Sequence, residues 1–355
     1  MLSIKEHIEL KPFTTLNLGG PADFFCECTS VYELQDALRF AAGREVRTHI
    51  LGGGSNTIFS DSGYQGCVLK IGMKGITYVE DGGDVLVTAQ AGEDWESFVR
   101  TTAEKGFSGL ECLSGIPGSV GATPIQNVGA YGQEVKDTIE SVKVLERTTL
   151  NEITFLNADC HFSYRTSRFK TTDAGKYIVT SVTFRLKKNG RPTIHYPEVK
   201  KIIDASVDLS TLADGRESLI AVRDIVIGLR KKKSMVIDPN DPNTRSVGSF
   251  FLNPIVDSAV LQHVGGVWSK IGDGSPVPTF PFEEKKKIPA AWLIEKSGFK
   301  KGTKKNGVGI SENHTLALVN YNGTVDALLQ LATEIQAGVE SVFGVRLELE
   351  ANVVS

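Results

Sequence analysis

Residues 114–135, SGIPGSVGATPIQNVGAYGQEV, are the stretch of this chain that most restricts its fold. Glycine recurs at every third position through Gly115, Gly118 and Gly121, and prolines and further glycines interrupt the rest. The apolar residues keep neither the period of a helix nor that of a strand. Connections usually take about four to six residues, and longer ones with little regular structure are usually functional. We interpret the stretch as a ligand-binding segment, with a long surface Ω-loop as the alternative.

The first glycine cluster of the chain, LGGGSN at residues 51–56, ends a predicted strand. We call residues 114–135 the second glycine segment. Glycines carry no side chain, so the backbone N–H groups of such a loop can close on a phosphate oxygen. The cluster is not a Walker A loop, and Thr57 stands where a Rossmann fingerprint needs its third glycine. A tight glycine turn is the alternative. Together the two segments favour a large, phosphate-bearing ligand such as a dinucleotide.

The length of 355 residues exceeds one ordinary hydrophobic core and predicts two or three domains. A formal charge of −3 provides no broad basic field, so we expect no nucleic-acid partner. Short lysine runs, such as residues 231–233, are interpreted as solvated faces. No apolar run is long enough to span a bilayer, and the first residues lack the features of a signal peptide. We therefore expect a cytoplasmic protein with no membrane insertion.

The cysteines are odd in number and lack the paired spacing of a zinc site. No HxxxH pair occurs either, so no metal is expected. Two of the cysteines alternate in the predicted strand FFCECT. All are interpreted as reduced core thiols in a reducing compartment. They are Cys26, Cys28, Cys67, Cys112 and Cys160.

Strands, helices and glycine-rich loops are mixed without a regular β-then-α alternation, which predicts an α+β fold. Strands are predicted in DVLVTAQAG, ESVKVLE and YIVTSVTFRL. A helix is predicted from Asp94 to Gly106, and a second one in RESLIAVRDIVIGLRKKK after a polar segment, residues 187–204. The last helix begins near Thr324 and ends at Gly344, and VRLELEANVV follows as a closing strand.

Two polar groups of residues are candidates for chemistry. In FSYRTSRFK, Arg165 follows Tyr164 and could pair with a carboxylate or phosphate, although a surface ion pair is the alternative. In the closing strand, Glu348 and Glu350 share one face with Arg346 by the two-residue period. That face is either solvated or directed into a cleft.

Ser249, in GSFFLNP, stands between a glycine and two phenylalanines. Neither a GxSxG elbow nor a histidine partner accompanies it, so a hydrolytic triad has little support. Ser249 is then either a turn residue or a proton donor.

Together these stretches resemble the UDP-N-acetylenolpyruvoylglucosamine reductase (MurB) flavoenzymes, in their type I branch. The resemblance rests on LKPFTTLNLGGPADFF, LGGGSN, GLECLSGIPGSVGATPIQNVGAYGQEV, FSYRTSRFK, GSFFLNP, AAWLIEKSGFKKG and LELEANVV, in the family's order. It implies an FAD-binding fold of the vanillyl-alcohol-oxidase type and a C-terminal α+β substrate-binding domain. The implied domains are residues 1–70 with 346–355, residues 71–232, and residues 233–345.

The resemblance also implies a reaction. NADPH would reduce bound FAD, and UDP-N-acetylglucosamine enolpyruvate would then be reduced to UDP-N-acetylmuramate for peptidoglycan precursor synthesis. Ser249 would protonate the substrate carbon, with Arg165 and Glu350 beside the enolpyruvyl group. Such an enzyme would work as a monomer or weak oligomer on a small UDP-sugar.

Two further sets of residues follow from the resemblance. Those expected to bind substrate are Tyr164, Tyr196 (in a loop that covers substrate), Lys233, Asn253 and Lys296. Those expected to bind FAD are Leu51, Gly52, Gly53, Gly54, Ser55, Asn56, Ile116, Gly118, Ser119, Gly121, Thr123, Asn127 and Gly129.

Two alternatives stay open at this point. A sugar or alcohol oxidase on the same flavin fold would need a different substrate domain, which GSFFLNP and LELEANVV disfavour. A non-enzymatic flavin- or nucleotide-sugar-binding protein would not need an acid beside a carboxylate.

Overall fold

The computed structural model describes residues 2–206, 209 and 211–355, and the chain forms two compact units. The first unit comprises Met1–Ile8, Ala22–Gly53 and Gln65–Lys232. The second comprises Glu9–Pro21, Gly54–Tyr64 and Lys233–Ser355.

Seven helices and twenty strands are assigned in the described residues. The helices are α1 (Val31–Gly43), α2 (Trp95–Glu104), α3 (Pro197–Ser206), α4 (Arg216–Lys232), α5 (Ser258–Ile271), α6 (Ala290–Lys296) and α7 (Val325–Phe343). The strands are β1 (Ile4–Glu9), β2 (Pro21–Cys28), β3 (Thr48–Leu51), β4 (Thr57–Phe59), β5 (Tyr64–Ile71), β6 (Ile76–Asp81), β7 (Asp84–Gln90), β8 (Phe107–Ser108), β9 (Gly129–Ala130), β10 (Gln133–Glu134), β11 (Ile139–Glu146), β12 (Glu152–Leu156), β13 (Tyr177–Lys188), β14 (Ile255–Val256), β15 (Phe280–Phe282), β16 (Lys285–Lys287), β17 (Lys304–Lys305), β18 (Val308–Ile310), β19 (Leu318–Asn320) and β20 (Asn352–Val354).

The first unit is built on two sheets. One has the strand order β1-β2-β5-β3, and its β3 and β5 run parallel. The other is antiparallel, with the order β12-β11-β13-β7-β6 and β8 paired to β13. Strand β7 alternates buried and half-buried residues, as expected for a strand with one face on a core. The predicted strands DVLVTAQAG, ESVKVLE and YIVTSVTFRL are therefore confirmed.

Helix α2 begins and ends as its capping residues predict. The Asp94 carboxylate accepts a hydrogen bond from the Ser97 amide at 2.8 Å, which satisfies one of the free N–H groups of the first turn. At the other end, Gly106 has a φ of +75°, a conformation that glycine adopts without strain. Trp95 and Phe98 of α2 pack against Phe184 of β13, with ring centroids 5.9 and 5.1 Å away.

The sequence interpretation missed helix α3, which begins in the second half of the polar segment at residues 187–204. Val199 and Ile203, one turn apart, are the only residues of α3 that are buried. They pack with Cys112 and with α4 in a small separate apolar cluster. Two apolar positions in a lysine-rich stretch are too weak a periodic signal to predict a helix from sequence.

All five cysteines are free and buried, in agreement with their interpretation as core thiols. Cys26 and Cys28 lie two residues apart on β2, so both side chains point to the same buried face. Their Sγ atoms are 3.8 Å apart.

His49, on β3 next to the first glycine cluster, makes the stability of the protein depend on pH. Burial, together with the positive charge of Arg147, lowers the pKa of His49 to about 4. Unfolding restores an ordinary pKa near 6.5, so the unfolded chain binds more protons between these values. The free energy of unfolding should therefore fall by about 2–3 kcal/mol as pH drops from 6.5 to 4. Urea titrations of wild type and His49→Gln would check this, because the variant should lose that part of the pH dependence.

The second unit combines short sheets with a long helix. Strands β14, β16 and β15 form one sheet, β17, β18 and β19 form another, and β20 pairs in parallel with β4. Helix α7 buries Leu328, Ala332, Ile335 and Val339, and these positions are part of the apolar stripe predicted for the last helix. Its left-handed C-cap at Gly344 is also confirmed.

The first turn of α7 has an unusually complete set of caps. Thr324 Oγ1 accepts from the Ala327 amide at 3.1 Å. The Asp61 carboxylate accepts from the Val325 and Asp326 amides at 3.0 and 3.1 Å. Three of the N–H groups that a helix leaves without an internal partner are thus satisfied by side chains.

The two capping residues should differ in their contribution to stability. Thr324→Ala removes one neutral bond and should lower the free energy of unfolding by about 1 kcal/mol. Asp61→Ala removes two bonds to a charged acceptor and should cost about 2 kcal/mol. Chemical denaturation of both variants would measure the difference, and an equal loss for the two would contradict a dominant role for Asp61.

Candidate functional site

The two glycine clusters lie against each other in the first unit. Strand β3 ends at Leu51, and Gly52 and Gly53 follow at once. A Cβ atom on Gly53 would be 2.7 Å from the Cα of Gly118, and one on Gly52 would be 2.6 Å from Ser119 Oγ. Neither position has space for a side chain. The two segments predicted to bind one ligand are therefore adjacent.

The first turn of α2 holds the second glycine segment. The Trp95 amide donates to Gly118 O at 3.0 Å, and the indole N–H of Trp95 donates to Leu113 O at 3.2 Å. Glu96 accepts from the Gly115 amide at 2.5 Å and also pairs with Arg223 of α4. Residues such as Ser114 and Val120 are fully buried. The alternative of a surface Ω-loop is therefore wrong, because the segment is part of the protein interior.

Some residues predicted to bind cofactor have clear packing roles. Gly121 lies against Ala91, since a Cβ there would be 2.5 Å from the Ala91 side chain. Thr123 is buried and donates to Val120 O at 2.8 Å. Leu51 is fully buried and Ile116 is half-buried against the core. The contact of these residues with a cofactor stays a prediction.

Asn127 connects the second glycine segment to the residues next to Tyr164 and Arg165. Its side-chain amide donates to Glu134 Oε2 and to Ser163 O, both at 2.9 Å, and its oxygen accepts from the Lys136 amide. The side chain is fully buried. Asn127 therefore places the residue before Tyr164.

Arg165 is held against the same segment. Its Nη2 donates to Gly129 O at 2.9 Å, and its guanidinium carbon lies 5.9 Å from the centre of the Tyr164 ring. Its φ of +52° is in the left-handed region, which is uncommon for a residue other than glycine. Arg168, three residues on, forms an ion pair, with its Nε donating to Asp173 at 2.6 Å.

Arg230 is a candidate that the sequence interpretation missed. Burial lowers its pKa to about 10, a reduction that Tyr131 and Glu96 oppose and the nearby positive charge of Arg165 reinforces. Two guanidinium groups close enough to affect each other, in a desolvated place, provide an environment that favours an anion. The lysine run beside Arg230 was interpreted as a solvated face. The four-residue spacing from the buried Val222 and Val226 already places Arg230 on the inner face of α4.

Tyr196 lies at the beginning of α3 and packs on Tyr131. The ring centroids are 5.4 Å apart in an edge-to-face arrangement. Burial raises the pKa of Tyr131 to about 12 and also raises that of Tyr196. Both phenols are therefore neutral hydrogen-bonding groups at physiological pH.

In the second unit, the segment that carries Ser249 runs antiparallel to the segment that carries Glu350. The Glu350 amide donates to Phe250 O at 2.9 Å, and the Leu252 amide donates to Glu348 O at 2.9 Å. Asn56, from the first glycine motif, donates through Nδ2 to Glu350 O at 3.1 Å. The fold thus brings together three predicted site residues, Asn56, Ser249 and Glu350, from distant parts of the chain.

Ser249 itself is half-buried. It follows Gly248, which has a φ of +76°, and precedes Phe250 and Phe251, which are fully buried and packed edge to face. The Phe250 amide also donates to Leu316 O at 2.8 Å, so hydrogen bonds hold the backbone directly after Ser249. The hydroxyl is therefore presented from a rigid, largely apolar segment.

The closing strand is shorter than predicted. Only Asn352–Val354 is a strand, and the preceding residues make a single bridge, Phe251 with Leu349. Glu348 is exposed and Glu350 is half-buried. The two-residue period predicts one face for both carboxylates and does not show this difference in burial. The pairing of the segment with residues 250–252 depends on tertiary contacts that periodicity does not contain.

The remaining predicted residues have the following positions. Gly54, with a φ of +66°, packs on Phe13 and precedes Ser55. Asn253 Oδ1 accepts from the Ala290 amide at 2.8 Å, at the beginning of α6. Lys296, at the end of α6, has its Nζ 4.8 Å from the Trp268 ring centre. Lys233 is half-buried directly after α4.

The first unit fits a flavin dinucleotide. Two adjacent segments without side chains at Gly52, Gly53 and Gly118 give the close backbone approach that a pyrophosphate requires. Ser119 adds a hydroxyl at the same place. Within the described residues no cluster of His, Cys, Asp and Glu suits a metal ion.

Comparison with known proteins agrees with this geometry. Residues 22–149 match the FAD binding domain family, and residues 239–354 match the family described as UDP-N-acetylenolpyruvoylglucosamine reductase, C-terminal domain. The reductase of that name from Thermobifida fusca is 43% identical over 352 residues, 97% of this chain and 96% of that protein. The one from Mycobacterium tuberculosis is 40% identical over 359 residues, covering 98% and 94%.

The fold is also that of a solved relative. The crystal structure of UDP-N-acetylenolpyruvylglucosamine reductase (MurB) from Thermus caldophilus covers the whole of both chains with a TM-score of 0.67 and 24% identity. The predicted fold class is confirmed: an FAD-binding fold of the vanillyl-alcohol-oxidase type with a C-terminal α+β domain. With matches to both domains and relatives above 40% identity along nearly its full length, the chain belongs to the UDP-N-acetylenolpyruvoylglucosamine reductase family.

Proposed function

We propose that this protein is an NADPH-dependent flavoenzyme that reduces UDP-N-acetylglucosamine enolpyruvate to UDP-N-acetylmuramate in peptidoglycan precursor synthesis. The observation that carries the proposal is the close approach of Gly53 to Gly118, which forms a backbone cradle in a chain 43% identical to a reductase of this name. When bound, FAD supplies hydride transfer from NADPH to the enolpyruvyl carbon.

The protein residues stabilise the negative charge that develops on the substrate and supply a proton to it. Reduction at the vinyl carbon leaves enolate-like negative charge on the adjacent carbon and its carboxylate. We assign stabilisation of that charge to Arg165, whose guanidinium is fixed by Gly129. A preorganised group of this kind contributes about 3–4 kcal/mol to the transition state in a water-poor site.

Ser249 is assigned as the proton donor and Glu350 as its carboxylate neighbour. A serine hydroxyl is a weak acid, but a carbanion is a much stronger base, so the transfer is downhill. General acid catalysis contributes about 10²–10⁴-fold. The hydrogen-bonded backbone directly after Ser249 supports this role, because a proton donor must be held in place.

The substrate-binding assignments differ in their support. Tyr164 and Tyr196 are part of the cationic and aromatic surroundings of Arg165 and Arg230. The family resemblance alone supports the assignment of substrate binding to Lys233, Asn253 and Lys296. We add Arg230, because a half-buried cation in desolvated surroundings provides a strong interaction for an anionic substrate group.

The compartment, assembly and domain limits are also proposals. Five free cysteines support a reducing cytoplasm. Within residues 2–206, 209 and 211–355, no helix has both the length and the apolar character needed to cross a bilayer. We propose a monomer or weak oligomer, with domains at residues 1–70 plus 346–355, 71–232 and 233–345.

The function can be tested with purified protein. It should be yellow from bound FAD, and it should oxidise NADPH only when the enolpyruvyl substrate is added. Oxygen consumption with simple alcohols would instead indicate an oxidase on the same fold. A colourless protein that does not take up FAD would refute the proposal.

A further inference from the structure

Glu111 is a buried carboxylate three residues before the second glycine segment, in a 3-10 turn formed by Glu111–Leu113. Only 2% of the residue is exposed. Among the described residues, no lysine or arginine forms an ion pair with it. A buried carboxylate is stable only if its oxygens are hydrogen-bonded, so its partners define what it does.

Those partners belong to three separate parts of the first unit. Oε2 accepts from the Gly109 amide at 2.8 Å. Oε1 accepts from Gln133 Nε2 at 2.8 Å and from the Thr193 amide at 3.1 Å. Gln133 in turn accepts from the Cys112 amide at 2.8 Å. The carboxylate therefore connects its own turn at residues 109–113, the β9–β10 hairpin of the second glycine segment, and the chain before α3.

The second and third of these parts carry the two packed tyrosines. Tyr131 lies in the β9–β10 hairpin, two residues before Gln133, and Tyr196 lies three residues after Thr193. The same two chain segments also touch at Gly132, where a Cβ atom would be 3.1 Å from the His195 Cβ. Both tyrosine-bearing segments are thus tied to one oxygen of Glu111, and their rings meet 5.4 Å apart.

We propose that Glu111 is a positioning residue that places Tyr196 for substrate binding, through the hydrogen bond to the Thr193 amide. This inference rests on the proposed function, because it takes Tyr196 to contact the enolpyruvyl substrate. Glu111 acts on substrate only through the chain that leads to Tyr196.

Glu111→Gln is the informative change because it preserves size and removes one acceptor. Gly109, Gln133 and Thr193 all present N–H groups to the carboxylate, so the new NH₂ must oppose a donor on one side. In the FAD-loaded full-length enzyme, the KM for the enolpyruvyl substrate should rise about tenfold. The rate of flavin reduction by NADPH should change much less than this KM. The decrease in flavin absorbance measures that rate.

A charge exchange separates positioning from folding. In the double variant Glu111→Gln with Gln133→Glu, the new amide donates to the new carboxylate, and the bonds to the Gly109 and Cys112 amides remain. The Thr193 amide alone then faces an N–H group. The midpoint of thermal unfolding should recover most of any loss, while KM stays high. If KM returned to the wild-type value together with the unfolding midpoint, the inference would be overturned. The hydrogen bond to the Thr193 amide would then not be needed for substrate binding.

A double-mutant cycle with Tyr196→Ala completes the test. Tyr196→Ala should itself raise KM, and in that background Glu111→Gln should change KM by less than about twofold. An effect of Glu111→Gln that persists in full would overturn the positioning role and leave the Tyr196 assignment intact. If Tyr196→Ala leaves KM unchanged, the substrate role of Tyr196 fails first, and this inference fails with it.

Discussion

Replacing Ser249 by alanine is expected to stop turnover of the enolpyruvyl substrate while NADPH still reduces the flavin. Removal of the proposed general acid should lower kcat about 10²–10⁴-fold. The half-buried hydroxyl is the only group removed, and three backbone hydrogen bonds to Phe250 and its neighbours hold the segment in place. Stopped-flow absorbance would separate the two half-reactions, with NADPH alone and then with substrate.

Ser341→Ala, at an exposed position of α7, is the matched control and should behave as wild type in both half-reactions. Solvent deuterium should slow the second half-reaction of wild type and not the first. A Ser249→Ala variant that retained most of the steady-state rate would contradict the assignment of the proton donor.

Replacing Gly53 by alanine is expected to release the flavin. The added methyl group would lie 2.7 Å from the Cα and 2.8 Å from the carbonyl carbon of Gly118, far inside contact distance. Both neighbours are backbone atoms, and the first turn of α2 holds that segment through Trp95. To relieve the clash, the two glycine segments must move apart. We expect flavin affinity to fall by about 100-fold, by analogy with the loss of about 100-fold in rate when a positioning group moves by about 1 Å.

Gly228→Ala provides the control for Gly53→Ala. Gly228 lies within α4, and a Cβ atom there meets nothing within 4 Å. Alanine also suits a helix interior better than glycine does. This variant should keep its flavin and be slightly more stable. Flavin absorbance after gel filtration would measure retained flavin. Full retention by Gly53→Ala would show that the two segments can separate without loss of the site.

Local signals in the sequence predicted the parts of this fold whose structure is decided locally. Helix α7 has a complete apolar stripe, a threonine N-cap and a glycine C-cap, and all three are present in the structure. Helix α2 is similar, with Asp94 and Gly106 at its limits. In these segments local preference and tertiary packing agree, so pattern alone is sufficient.

Features that depend on distant partners were not predictable in the same way. Helix α3 has only two buried residues, and its apolar cluster is completed by Cys112, far away in the chain. The segment before β20 pairs through a single bridge, so its two-residue period overstated the strand. The site residues came mainly from family motifs. Glu111 gains its interest from burial and from partners in distant segments, which no short pattern reports. For Arg230, by contrast, the four-residue spacing in α4 did contain a signal.

The parallel pairing of β20 with β4 has a consequence for how the protein is made. Residues 352–354 pair with residues 57–59, and Leu16, Leu18 and Ile58 belong to the core of the second unit. A ribosome adding about 5–20 residues per second needs roughly 15–60 s between synthesising the two strands. During that time the early apolar segments have no completed core. Protection of the nascent chain by a chaperone should therefore matter more for the second unit than its modest size suggests.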